Sequence, residues 1–120
     1  MRLVNLTPHP ITIMLTDNRD EDLILPAESV PARCKEVRWQ ITHLGVDDGR
    51  YVVPVNRTLF GDVTGLPEQS DWTDPNPVAY VVSRAVCDAV PERHDLYAVD
   101  ETVRDEQGRI IGCRSLCRPR

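Results

Sequence analysis

Ala79-Tyr80-Val81-Val82-Ser83-Arg84-Ala85-Val86-Cys87-Asp88-Ala89-Val90-Pro91 holds two different periodicities side by side. Its first four residues are a continuous apolar run, as in a buried strand. Ser83 then offers the short hydroxyl of an N-cap. Val86, Ala89 and Val90 recur at helical spacing until Pro91 stops them. The stretch predicts a strand that feeds one short helix, Arg84 to Val90, and no other segment carries so clear a helical pattern.

Outward from it in both directions the signals are those of strands. Downstream, Asp95 to Val99 reads as extended. Val103 to Ile111 reads as a hairpin closed by Gly108, and its second strand continues to Leu116. Arg118-Pro119-Arg120 is tail. Upstream, Pro67 to Pro77 is the longest loop, polar except for Trp72, and its length suits a binding loop or lid. Before that loop, Val37, Trp39 and Ile41 alternate with Glu36, Arg38, Gln40 and Thr42, the pattern of a half-buried strand. A turn follows at Gly45 to Gly49. Tyr51 to Val55 and Thr58 to Val63 read as a further pair of strands, with Gly61 and Gly65 marking a bulge or a close backbone approach. At the start, Leu3 to Leu6 and Ile11 to Leu15 are strands around a Thr7-Pro8-His9-Pro10 corner. The polar Asp17 to Asp22 tip leads back into Leu23 to Leu25.

About eight short strands and one helix in 120 residues make a single domain, 1–120. The expected class is α+β, mainly β: a small rolled sheet or barrel-like domain with its short helix over an open end. Ten prolines against six glycines punctuate those strands. The apolar fraction of 41% and charged fraction of 28% exclude a disordered or collagen-like chain.

Charge limits the partners. Fourteen basic against nineteen acidic side chains give a net charge of −5, which disfavours duplex nucleic acid because a counterion-displacing surface must be basic. No apolar run has transmembrane or signal-peptide length, so neither a membrane nor secretion is expected. A cytoplasmic setting follows, with Cys34, Cys87, Cys113 and Cys117 as free thiols. Cys113 and Cys117 stand at a C-x3-C spacing and His9, His43 and His94 are scattered, so no metal site and no cofactor are expected. No G-x-S-x-G, HExxH, Walker or GxGxxG motif occurs, and no catalytic residue is nominated. Cys87 with His94 would be a nucleophile and base, but a small buried thiol on the helix is the plainer reading.

Binding is the better prospect. Every basic side chain except Lys35 is arginine, and a guanidinium fork matches phosphate or carboxylate in two bonds. The candidate contacts for a small, nucleotide-like anion are Ser83 and Arg84 at the helix start, Arg104, Arg109 and Arg114 on the last hairpin, and Trp72 as a lid. The plainer alternative places Trp39, Phe60 and Tyr80 in the core and leaves the arginines solvated. A chain this small is also expected to complete its core or its site as a homo-oligomer.

Asn5-Leu6-Thr7-Pro8-His9-Pro10-Ile11, Phe60-Gly61-Asp62-Val63-Thr64-Gly65-Leu66-Pro67-Glu68, Tyr80-Val81-Val82-Ser83, Arg93-His94-Asp95 and Val103 to Cys113 together resemble a family of small proteins from phages, prophages and actinobacteria. The resemblance runs along the whole chain, implies a phage-type setting and brings no catalytic residues with it. Three functions follow as expectations. The first is a non-enzymatic protein that sequesters a small anion, in its sharpest form a cyclic-nucleotide or NAD-derived immune signal. The second is a protein-interaction or virion-associated module without a small ligand. The third and weakest is an enzyme acting on a nucleotide or phosphoester.

Overall fold

In the computed structural model, residues 1–71 and 73–118 are described. The elements follow in the order β1 (Arg2–Asn5), β2 (Ile11–Ile13), β3 (Leu23–Leu25), β4 (Arg33–Val46), β5 (Tyr51–Thr64), β6 (Val78–Val81), α1 (Arg84–Ala89), β7 (Leu96–Arg104) and β8 (Ile110–Cys117). Strands hold 51% of the chain beside one short helix, the mainly β, α+β class that the alternating patterns predict.

The Ala79 to Pro91 stretch behaves as read. β6 lies between β1 and β7 and is parallel to both. A parallel strand covered on both faces has no room for polar side chains, hence the unbroken run. Ala79, Tyr80, Val81 and Val82 are all buried, the last two almost completely. The Ser83 hydroxyl accepts from the Val86 N–H at 3.3 Å, capping α1.

Six strands form one sheet in the order β1-β6-β7-β8-β2-β3. It rolls until its outer strands meet, where Asn5 bridges Ala27 and the Glu28 N–H donates to the Asn5 carbonyl at 3.2 Å. The result is a nearly closed barrel, which removes sheet edges that would otherwise template aggregation. Ile13, Leu25, Val81 and Cys113, with Leu3, Ile11 and Leu116, come from strands all round the sheet and fill its lumen. The opposite face of β1, β6 and β7 buries Leu6, Tyr80, Val82, Leu96 and Ala98 under Val86 and Cys87 of the helix. The helix therefore covers an outer face of the sheet. Its expected place over an open end is corrected, because the apolar stripe of α1 matches the alternate residues of β6 and β7 that point away from the lumen.

Two polar groups are buried with full partners. Asn5, 1% exposed, donates from Nδ2 to the carbonyls of His9 at 2.8 Å and Leu25 at 3.0 Å. Its Oδ1 accepts from the Thr7 N–H at 2.9 Å and the Thr7 hydroxyl at 2.6 Å. Asp95, just before β7, receives a two-bond fork from Arg93, both bonds 2.8 Å. Two glycines mark close approaches. A Cβ on Gly65, which has φ +79°, would lie 2.5 Å from the Pro31 carbonyl oxygen, and one on Gly112 would lie 2.8 Å from that of Thr12. Gly65 is thus the close backbone approach anticipated for it.

The remaining strands leave the barrel. β4 and β5 pair only with each other, as a two-stranded arm of 14 residues per strand. Tyr51 to Val55 and Thr58 to Val63 are accordingly one strand and not two, since Asn56 and Arg57 continue the ladder opposite Gln40 and Trp39. The arm stretches the molecule to 61 × 38 × 25 Å. It also raises the radius of gyration to 18.4 Å, against about 14 Å for a compact chain of this length.

Candidate functional site

The arm is the feature with the most unusual surface. Directly paired residues of an antiparallel ladder share a face, so the register sorts its side chains. Val37 with Leu59, Trp39 with Arg57, Thr42 with Val55, Leu44 with Val53 and Val46 with Tyr51 lie on one face. A bulge at Ile41, between Gln40 and Thr42, makes this possible. It inserts one residue and so switches β4 from odd to even positions while the apolar face stays the same. The other face pairs Glu36 with Phe60, Arg38 with Thr58, Gln40 with Asn56, His43 with Pro54 and Gly45 with Val52.

That sorting leaves a long apolar stripe in water. Val37, Trp39, Ile41, Leu44, Val46, Tyr51, Val53 and Leu59 are each 41 to 54% exposed. The strand read as half-buried is therefore uncovered in the single chain. Trp39 and Phe60, expected in the core, are corrected to exposed positions. The reason is that nothing else among the described residues packs over the arm beyond its root. At the root, Cys34 and Val63 do pack under α1. The arm's tip turns through Asp47, Asp48 and Gly49, all at positive φ, with the Arg50 N–H donating to the Asp47 carbonyl at 3.1 Å. Aspartate tolerates that backbone because its short side chain can bond locally.

A second feature is a cavity of about 360 Å³ at a mouth of the barrel, lined by residues that include Thr7, His9, Ile11, Val99, Thr102 and Ile110. It opens where β2 and β8 splay apart, as their ladder consists of the single pair Ile13 and Cys113. Among the described residues no arginine lines it. A wider groove of about 380 Å³ runs past Arg2, Glu28 and Tyr80.

The residues nominated from sequence fall on separate elements. Arg84 is an exposed surface side chain 3.8 Å from Asp88, and Ser83 is occupied as the cap of a six-residue helix. Arg104 donates to the Gly108 carbonyl at 2.7 Å, bracing the β7–β8 turn. Arg109 lies 3.8 Å from Asp105 in the same turn, and Arg114 lies 3.7 Å from Asp17. Arg104 and Arg109 share a hairpin, and each nominated arginine has a local partner. Trp72 lies outside the described residues. Its loop is tied down at both ends of a short span, since Ser70 Oγ accepts from the Val78 N–H at 3.0 Å and donates to its carbonyl at 3.3 Å. Asp71 and Asp74 each accept from the backbone two residues on, at 3.0 Å. The bonds from Thr73 hold the Asp71 carboxyl below its usual range.

Among the described residues, no three His, Cys, Asp or Glu side chains group as metal ligands. Burial, with Asp88 and Cys117 nearby, pushes the Cys87 thiol up from 9.0 to about 11. A group in that state is a poor nucleophile at neutral pH. The sign of its effect on stability follows. Between pH 9 and 11 the unfolded chain has lost the Cys87 proton and the folded chain keeps it, so stability is present below pH 9 and falls as pH rises to about 11. The expected loss is about 2 kcal/mol over that window. Urea midpoints should show it in the wild type and show a shallower decline in Cys87→Ala.

No known protein family, curated protein or solved structure matches this chain. Among the described residues no helix is long and apolar enough to cross a membrane.

Proposed function

We propose that this chain is a protein-interaction module that works through the β4–β5 arm. The reading is carried by one observation: an apolar stripe on a two-stranded ribbon that the other described residues leave uncovered. Two-stranded hairpins are marginal in water on their own, and contiguous exposed apolar patches of this extent mark association surfaces. Burial of the stripe against another protein would supply the second layer that the arm lacks. Anion sequestration draws less support. The nominated arginines have local partners, and the cavity at the barrel mouth is lined by threonines, a histidine and aliphatic groups.

A photo-crosslinking residue at position 39, introduced in cells that make the protein, tests this. Irradiation should give discrete adducts heavier than the chain. The same probe at Glu106, in the exposed β7–β8 turn, should give none. A blank lane for position 39 would overturn the reading.

A further inference from the structure

We propose that the arm's partner is a second copy of this chain, stacked face to face across a two-fold axis with the tip of each arm over the root of the other. This rests on the interaction-module reading and names its occupant.

The area is right for it. At exposures of 41 to 54%, the eight apolar side chains of the stripe leave about 700–800 Å² per arm, close to the ~800 Å² each partner contributes to a standard stable interface. A heterologous partner would need its own matching stripe. A two-fold stack makes one stripe serve both sides, since a self-complementary patch is what a two-fold interface requires.

The charges set the direction. The tip carries Asp47, Asp48 and Arg50, and the root carries Arg33, Lys35 and Asp62. None of the six forms an ion pair within the chain among the described residues, although Arg50 stacks over the Tyr51 ring at 5.3 Å. A two-fold axis across the arm at its midpoint lays β4 over the partner's β4 and β5 over the partner's β5, reversed in direction. Asp47 and Asp48 then meet the partner's Arg33 and Lys35, and Arg50 meets the partner's Asp62. A parallel two-fold stack would instead lay β4 over the partner's β5 and bring tip over tip and root over root, where these residues carry net charges of −1 and +1 respectively. Trp39, near the midpoint of β4, comes against the partner's Trp39, and Arg57, paired with Trp39 on the same face, comes against the partner's Arg57, a like-charge contact that the apolar burial must offset. An aromatic pair in the centre of a patch is the usual anchor of an interface.

Sedimentation equilibrium of the purified chain tests this. The wild type should be a dimer at micromolar concentration, and Trp39→Asp should be a folded monomer by circular dichroism. Asp47→Lys with Asp48→Lys should weaken the dimer at least about tenfold. Adding Arg33→Asp and Lys35→Asp to that variant should restore it, because each symmetric contact then has opposite charges again. A monomeric wild type, a dimer indifferent to Trp39→Asp, or a four-fold variant no tighter than the double one overturns the proposal. If the position-39 probe captures a different protein while the pure chain sediments as a monomer, the second-copy inference fails and the interaction reading stands. If the probe captures nothing, both fail.

Discussion

Replacing Arg93 by methionine is expected to cost about 3–5 kcal/mol of stability, the largest effect of any single substitution in the body. The Asp95 side chain is only 5% exposed, and the Arg93 side chain covering it is 16% exposed. Among the described residues the carboxylate accepts from Arg93 alone, through both oxygens. Removing the guanidinium therefore strands a charge in the protein rather than returning it to water. The site also matters for the fold, since the Asp95 carbonyl accepts from the Tyr80 N–H at 2.8 Å and starts the β6–β7 pairing. Urea denaturation gives the cost directly. Arg93→Met with Asp95→Leu should recover most of it, because removing both charges leaves nothing unpaired. A single-variant loss below about 1 kcal/mol would show that the pair is solvated and the burial argument wrong.

Asn5→Leu should be the next most damaging change, at about 3 kcal/mol. The shape is nearly kept, but the Leu25 carbonyl and the Thr7 N–H lose their Asn5 partner where β1 meets the end of β3, while the His9 carbonyl keeps the Thr7 hydroxyl at 2.9 Å. Each orphaned group with little access to water costs about 1–3 kcal/mol. Asn5→Asp discriminates the mechanism further. Its oxygens can still accept from Thr7, yet one of them would face two carbonyl oxygens with no proton between. A buried carboxylate in that setting resists ionising. The Asp variant should therefore lose more stability at neutral pH than in mild acid. A loss that does not depend on pH would mean that the closure admits water.

Much of the fold was legible in the chain. The strand-to-helix step at Ala79 to Pro91 was readable because a fully covered parallel strand and a short capped helix impose different periods on adjacent residues. Gly65 announced a close approach because a Cβ there would meet backbone. The Cys87 thiol reads as buried from its place within a short amphipathic helix, and it is. What misled was the arm. Alternation at Val37, Trp39 and Ile41 announces a face that something covers, but it carries no information on whether the cover belongs to the same chain. Trp39 and Phe60 read as core residues for the same kind of reason, being large and aromatic on strands, yet the described residues build no core around them. The parity switch at Ile41 hid the continuation of the stripe to Leu44 and Val46, because a bulge looks like the end of a pattern to any reading in steps of two. The nominated arginines had no such local signal to be sorted by. A guanidinium that braces its own turn, as Arg104 does, has the same sequence appearance as one that waits for a ligand.

Local patterns suffice for the mainly β, α+β class, the capped helix and the position of most strand segments, because each of these is set by residues within a few positions of one another. The strand order β1-β6-β7-β8-β2-β3, the closure through Asn5, and the projection of β4 and β5 away from the barrel emerge only once the chain is folded. Those depend on pairings between residues far apart in the chain, where many partners are equally apolar. The choice among them is made by packing, register and the satisfaction of buried polar groups, which no local pattern encodes.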